Sequence, residues 1–148
     1  TAGPAQSPTR PQPIVKKHMI DHLDHLVLTT ARPQACIKFY TEVLGMELQT
    51  FQAASGTELR RAFRFGNQKI NLHVQGREFQ PRAHLPVPGS QDLCFIASVP
   101  LQEVIARLEQ HNWRILEGPS LRTGATGQIR SVYVRDPDLN LIEISEPV

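Results

Sequence analysis

The chain has 148 residues, a formal net charge of +2, 40% hydrophobic residues and 20% charged residues. These are the proportions of one ordinary globular domain. No Lys/Arg run exceeds two (Lys16-Lys17, Arg60-Arg61), which excludes a dedicated nucleic-acid face, since that needs a clustered basic stripe. No apolar stretch approaches the ~20 residues of a membrane span.

Residues 1–19 are read as a disordered tail, because Pro4, Pro8, Pro11 and Pro13 remove backbone donors and fix φ among small polar residues. A domain then fills 20–148, in two halves of about 22–76 and 90–146. The first strand is predicted from Leu23 to Thr29. Thr30 is placed as the cap of the next helix, with Pro33 in its first turn. Ile37, Tyr40, Val43 and Leu44 make one apolar stripe, and Gly45 closes the helix. Met46–Phe51, Leu59–Phe65 and Lys69–Val74 are predicted strands. Gly76–Gly89 is a linker. The second half repeats the order: Asp92–Ala97 as a strand and a helix from Leu101. Arg114–Leu116 is a strand stopped by Gly118-Pro119, followed by a loop over Arg122–Gly127. Ile129–Arg135 and Leu141–Ser145 form the last hairpin. The fold class is α+β, with tandem βαβββ modules forming a curved mixed sheet around one cavity.

Strand parity selects the residues that face that cavity. Ile142 and Ile144 take the core side, so Glu143 faces inward. Ile70, Leu72 and Val74 take the core side, so Asn71 and His73 face inward. His25 shares parity with Val27 and Thr29, and Asp92 is its equivalent in the second half. His25, His73 and Glu143 form a candidate divalent-metal triad suited to Zn, Ni, Mn or Fe. Glu143 can alternatively shuttle a proton, with Asp92 as a fourth ligand or base. Asn71, Arg122 and Thr123 are candidate substrate contacts. The remaining histidines, His18, His22, His84 and His111, read as surface or tail residues, and Trp113 as packing. Cys36 and Cys94 read as buried thiols of a reducing, cytoplasmic compartment. No signal peptide is visible, although a removed targeting segment stays open.

Three stretches carry a family resemblance: Leu23-Asp24-His25-Leu26-Val27-Leu28, Phe39-Tyr40-Thr41-Glu42-Val43-Leu44-Gly45-Met46, and Arg135-Asp136-Pro137-Asp138-Leu139-Asn140-Leu141-Ile142-Glu143. With them the chain resembles the vicinal oxygen chelate superfamily, which includes glyoxalase I, extradiol dioxygenases, and fosfomycin- and bleomycin-resistance proteins. Residues 66–73 and 86–95 look more narrowly like the glyoxalase domain-containing protein 5 group and related bacterial virulence proteins. The resemblance implies a metal-dependent, glyoxalase-like lyase or isomerase acting on a small oxygenated substrate. Its alternatives are an Fe(II) extradiol-type dioxygenase and a metal-free ligand-binding protein. It further implies a homodimer. His25 and Glu143 stand at the family's first-strand and last-strand ligand positions. Asp92 stands where the family usually has His, Asn71 where glyoxalase I usually has Glu, and Leu139 where the last turn usually has Gly.

Overall fold

The computed structural model describes residues 3–5, 18–54 and 56–148; most of the expected tail lies outside them. Strand β1 (His25–Thr30) leads into a short helix α1 (Pro33–Lys38) that continues as a wider, π-helical turn over Phe39–Val43. Strands β2 (Glu47–Gln52), β3 (Leu59–Phe65) and β4 (Gln68–Val74) complete the first half. The second half runs β5 (Asp92–Ile96), α2 (Leu101–Gln110), β6 (Glu117–Thr123), β7 (Gln128–Arg135) and β8 (Leu141–Pro147). Each half makes a four-stranded mixed sheet, in the orders β1-β4-β3-β2 and β5-β8-β7-β6. Tandem βαβββ modules were therefore legible in the sequence.

The helix-facing sides of both sheets share one core. Leu28, Phe63 and Ile70 of the first sheet, Val132 and Ile142 of the second, and Phe39 and Leu108 of the helical segments belong to a single buried cluster. Trp113 packs on Phe39, with ring centroids 4.7 Å apart, and its indole N–H donates to the Arg135 carbonyl at 2.8 Å. With their helix-covered sides joined, the two opposite faces are left for binding.

A polar latch ties the halves together. Asp136, in the β7–β8 turn, is 2% exposed. Its carboxylate accepts the Tyr40 hydroxyl at 2.7 Å, the Asn140 side-chain amide at 2.8 Å, and the backbone N–H groups of Asp138 and Asn140 at 2.9 Å each. Four donors on one buried carboxylate satisfy the rule that buried charge must be hydrogen-bonded. Asp138 extends the latch by accepting the Ala31 N–H at 3.0 Å and the Thr30 hydroxyl at 2.5 Å. The motif stretches that carried the resemblance are thus, in large part, the residues that join the halves.

Three expectations change. Thr30 does not cap α1: the N-cap is Arg32, with no side-chain cap bond, and the Thr30 hydroxyl accepts the Arg32 N–H at 2.9 Å while donating to Asp138. Gly118-Pro119 does not stop a strand, since β6 runs through it with a register shift between Glu117 and Ser120. Strand β6 lies at the sheet edge, where a proline's missing N–H costs no ladder bond. Gly118 has φ +102, and a Cβ there would stand 2.3 Å from the Ser131 carbonyl oxygen, so only glycine fits the crossing. Arg122 and Thr123 consequently lie on β6 rather than in a loop. Finally, only Cys36 is buried, whereas Cys94 is exposed. Among the described residues, no helix is long and apolar enough to cross a membrane.

Candidate functional site

Register places the candidate residues more sharply than parity. In the first half β1 and β4 are parallel neighbours, with His25 opposite Lys69, Val27 opposite Asn71 and Thr29 opposite His73. In the second half Asp92 is opposite Leu141, Cys94 opposite Glu143 and Ile96 opposite Ser145. The two registers superpose as a repeat. His25 corresponds to Asp92, Asn71 to Glu143, and His73 to Ser145. Each half therefore presents one polar pair on its binding face, His25 with Asn71 and Asp92 with Glu143.

His73 stands apart from these pairs. It lies four residues from the register partner of His25, about 13 Å along the strand at ~3.3 Å per residue. Imidazoles so spaced do not close on one ion, so the chain does not bring His25, His73 and Glu143 together. Among the described residues of one chain, no three His, Cys, Asp or Glu side chains converge as metal ligands. Parity gave the correct face for His73 but carried no information about distance along it.

The surroundings of each pair are specific. His25 Nδ1 lies 2.8 Å from the Asp24 carboxylate, and that bond holds the Asp24 carboxyl below its ordinary pKa. A carboxylate on Nδ1–H leaves Nε2 with its lone pair, the arrangement typical of metal-binding histidines. The Asn71 amide oxygen is buried without a hydrogen-bond partner, a costly state for a polar atom unless something else uses it. Opposite in the repeat, Glu143 Oε2 accepts the Ser131 hydroxyl at 2.5 Å. Ser131 is in turn 2.7 Å from the Ser145 hydroxyl, and Ser145 is 3.4 Å from Cys94 Sγ. This chain fixes one carboxylate oxygen and leaves the other to the hollow. Partial desolvation by its neighbours pushes the otherwise exposed Cys94 thiol up, as does the neighbouring Glu143 charge, against the opposing Ser145 bond.

Two separate hollows lie on the binding faces. One, of about 680 Å³, is lined by Glu143, Cys94, Tyr133 and Arg122 and by the glycine-containing turn from Gly124 to Gly127. Arg122 Nε donates to the Tyr133 hydroxyl at 2.9 Å and its Nη2 to Glu117 at 2.7 Å. These bonds raise the Arg122 pKa, the Tyr133 bond most, and aim a fixed cation at the hollow's rim. Thr123 lies beside it in the same lining. The second hollow, of about 460 Å³, is lined by Thr29, His73, Arg82 and residues of the Pro81–Gln91 linker. The two hollows share no lining residue. Sequence reasoning missed Ser131, Tyr133, Glu117 and Thr29. The alternation on β7 and β1 contained Ser131, Tyr133 and Thr29, but nothing in composition marked them as neighbours of charge, and Glu117 opens β6 just past the strand expected to end at Leu116.

Comparison with known proteins places this geometry. The model of the Glyoxalase/Bleomycin resistance protein/Dioxygenase superfamily matches residues 22–144. The chain is 53% identical over 130 residues to virulence protein STM3117 of Salmonella typhimurium, covering 88% of this chain and 87% of that one. The crystal structure of that protein superposes with a TM-score of 0.82, covering 88% of this chain and all of the other. Glyoxalase domain-containing protein RDO1 of Mycosarcoma maydis is 50% identical over 123 residues, covering 83% of this chain and 66% of RDO1. An integron cassette protein from V. cholerae is 48% identical with a TM-score of 0.81, covering 88% of this chain and 98% of the other. The chain therefore belongs to the Glyoxalase/Bleomycin resistance protein/Dioxygenase superfamily.

Proposed function

We propose that the protein is a glyoxalase-like, metal-dependent lyase or isomerase, with a divalent-metal site completed by two copies of the chain. His25 and Asn71 come from one copy, and Asp92 and Glu143 from the other. The observation that carries this reading is the register equivalence of the two polar pairs. Pooled, they supply an imidazole nitrogen, an amide oxygen and two carboxylates. The unpartnered Asn71 oxygen and the Asp24-oriented His25 ring fit such a site. An oxygen-rich set with one imidazole suits Mn²⁺ or Fe²⁺, and also Ni²⁺ or Zn²⁺, better than a thiolate-seeking ion.

A second copy supplies the missing half because the helix-covered sides of both sheets are spent on one shared core, leaving the pairs on separate sheets. Val27 and Ile96, beside the two pairs, are 39% and 57% exposed. Both lie on edge strands, the kind of surface that a symmetric partner covers. Opposing the first sheet of one copy to the second sheet of another would give two equivalent cavities per dimer.

The bound ion would supply Lewis-acid polarisation of a substrate carbonyl or hydroxyl oxygen. The chain's own groups do the rest. With substrate bound in its place at the metal, the second Glu143 oxygen is free to accept a proton from the carbon next to a carbonyl and to return it to the neighbouring atom. Ser131 and Ser145 hold its partner oxygen, which fixes the orientation of the carboxyl group before and after it takes the proton. Arg122, fixed by Tyr133 and Glu117, steadies an anionic end of the substrate, and Thr123 lies beside it as a further substrate contact. The relative in Mycosarcoma maydis, a glyoxalase domain-containing protein, is in keeping with this class of chemistry.

Two measurements test the reading. Metal analysis of chelator-free protein is expected to give about one ion per chain, lost in His25→Ala and in Glu143→Ala. Proton exchange from dihydroxyacetone into D₂O, followed by NMR, is expected to be catalysed by the wild type and not by Glu143→Gln. A metal-free protein after reconstitution with Mn²⁺, Fe²⁺, Ni²⁺ and Zn²⁺ would refute the site and favour a ligand-binding role.

A further inference from the structure

The hollow beside the first half-site has a polar floor with nothing to bind. Thr29 and His73 are register partners on β1 and β4, so their side chains stand side by side on the binding face. They are 7% and 6% exposed, and both line the hollow. Among the described residues, neither side chain has a hydrogen-bond partner, and both border the hollow. Two adjacent polar side chains with no protein partner, both open to the hollow, leave their hydrogen-bonding capacity to whatever enters it.

The charge around them is mainly positive. Arg82 is the sole charged residue lining the hollow, and it has no carboxylate within ion-pair distance among the described residues. Arg60 likewise has none; its guanidinium lies 4.2 Å from the Phe79 ring centroid, and that ring lies edge-on to His73 at 5.6 Å. Glu78 is the acidic group near enough to act on His73, and its carboxylate already accepts the Gly76 N–H at 3.0 Å. Pro81, Leu85, Pro86 and Val87 of the linker form an apolar wall.

We infer that this hollow is a carboxylate-recognition subsite, in which the Thr29 hydroxyl and the His73 N–H donate to a ligand carboxylate under the field of Arg82 and Arg60, while the linker covers a short aliphatic body. Its link to substrate class rests on the metal site proposed above. Asn71 lies two residues from His73 on β4, about 7 Å away. A substrate chelating an ion that His25 and Asn71 would help to hold would therefore carry its far carboxylate about two methylenes beyond the chelating oxygens. The protein would accordingly act on a short dicarboxylate that bears a 2-oxo or 2-hydroxy group.

The probes are 2-oxoglutarate and 2-oxopentanoate, which differ in that far carboxylate. Calorimetric titration of Mn²⁺-loaded wild type is expected to show the dicarboxylate bound about tenfold tighter or more, a difference of ~1.4 kcal/mol. Thr29→Val, which keeps the shape, and His73→Gln should each abolish the difference. Their metal content and circular dichroism should stay unchanged, since neither residue is in the proposed metal shell. Repeating the titration with EDTA separates the two proposals. Weakening of both probes with the preference intact supports both. A preference intact and indifferent to EDTA supports the subsite and strikes the metal site. Equal affinities, absence of binding by either probe at millimolar concentration, or a preference that survives both substitutions would overturn the subsite.

Discussion

The Tyr40–Asp136 bond gives the sharpest test of how the halves are held together. Tyr40→Phe deletes one hydroxyl and almost no volume from a fully buried ring. The bond it removes is 2.7 Å long and ends on a carboxylate. Hydrogen bonds to charged groups contribute about 1.5–3 kcal/mol. Asp136 keeps three other donors, so the loss should stay within that range, lowering the melting temperature by roughly 5 °C. Asp136→Ala is more severe. It strands four donors in the interior and should cost at least about 4 kcal/mol. The two changes are coupled: once Asp136 is gone, the Tyr40 hydroxyl has no acceptor, and Tyr40→Phe in that background should cost nothing or stabilise. Urea unfolding of wild type, both single mutants and the double mutant closes the cycle. A coupling of about 2 kcal/mol is expected, with unchanged m-values. Additive losses would show that the bond does not carry the latch.

Three further outcomes follow from named contacts. Burial raises the Cys36 thiol from 9.0 to about 12 and pushes the Tyr40 phenol far above its usual range, with Asp136 adding to the effect. Both acids hold their protons more tightly when folded, so their contribution is whole below about pH 9 and is lost as pH rises toward 12. For Cys36 that difference corresponds to about 4 kcal/mol. Unfolding curves from pH 8 to 11 should steepen in their decline and flatten in Cys36→Ala, and native labelling by iodoacetamide should reach Cys94 and spare Cys36. Gly118→Ala should cost about 3 kcal/mol or more, from the positive φ and the carbonyl 2.3 Å away, and thermal melts would show it. Ser131→Ala removes the 2.5 Å bond that orients Glu143, and should weaken metal binding about 10- to 100-fold by competition titration. Unchanged affinity would mean that Glu143 is positioned without it.

Much of this was legible because strand alternation has a period of two. Ile142 and Ile144 fixed the facing of Glu143, and Ile70 and Leu72 fixed that of Asn71 and His73. The repeat in the sequence anticipated both sheets. What escaped was whatever depends on long-range neighbours. Thr30 looks like a helix cap, but the cap position falls two residues later, and the Thr30 hydroxyl joins the turn at Arg32 to Asp138, 108 residues away. Gly118-Pro119 looks like a strand stop until β6 proves to be an edge. The metal triad failed at His73 because a shared face says nothing about the ~3.3 Å advance per residue along it. The repeat already matched His25 to Asp92, and carrying it one step further would have matched Asn71 to Glu143.

The central claim is that each metal site takes one pair from each of two copies. Complementation measures it directly. His25→Ala and Glu143→Ala are co-refolded, loaded with Mn²⁺ and examined by native mass spectrometry, with tags that distinguish the two chains. If the sites form between copies, the mixed dimer keeps one site with both pairs intact and should hold one ion, while each parent dimer holds none. If each site forms within one chain, every chain in the mixture is defective, and a mixed dimer without metal would contradict the account.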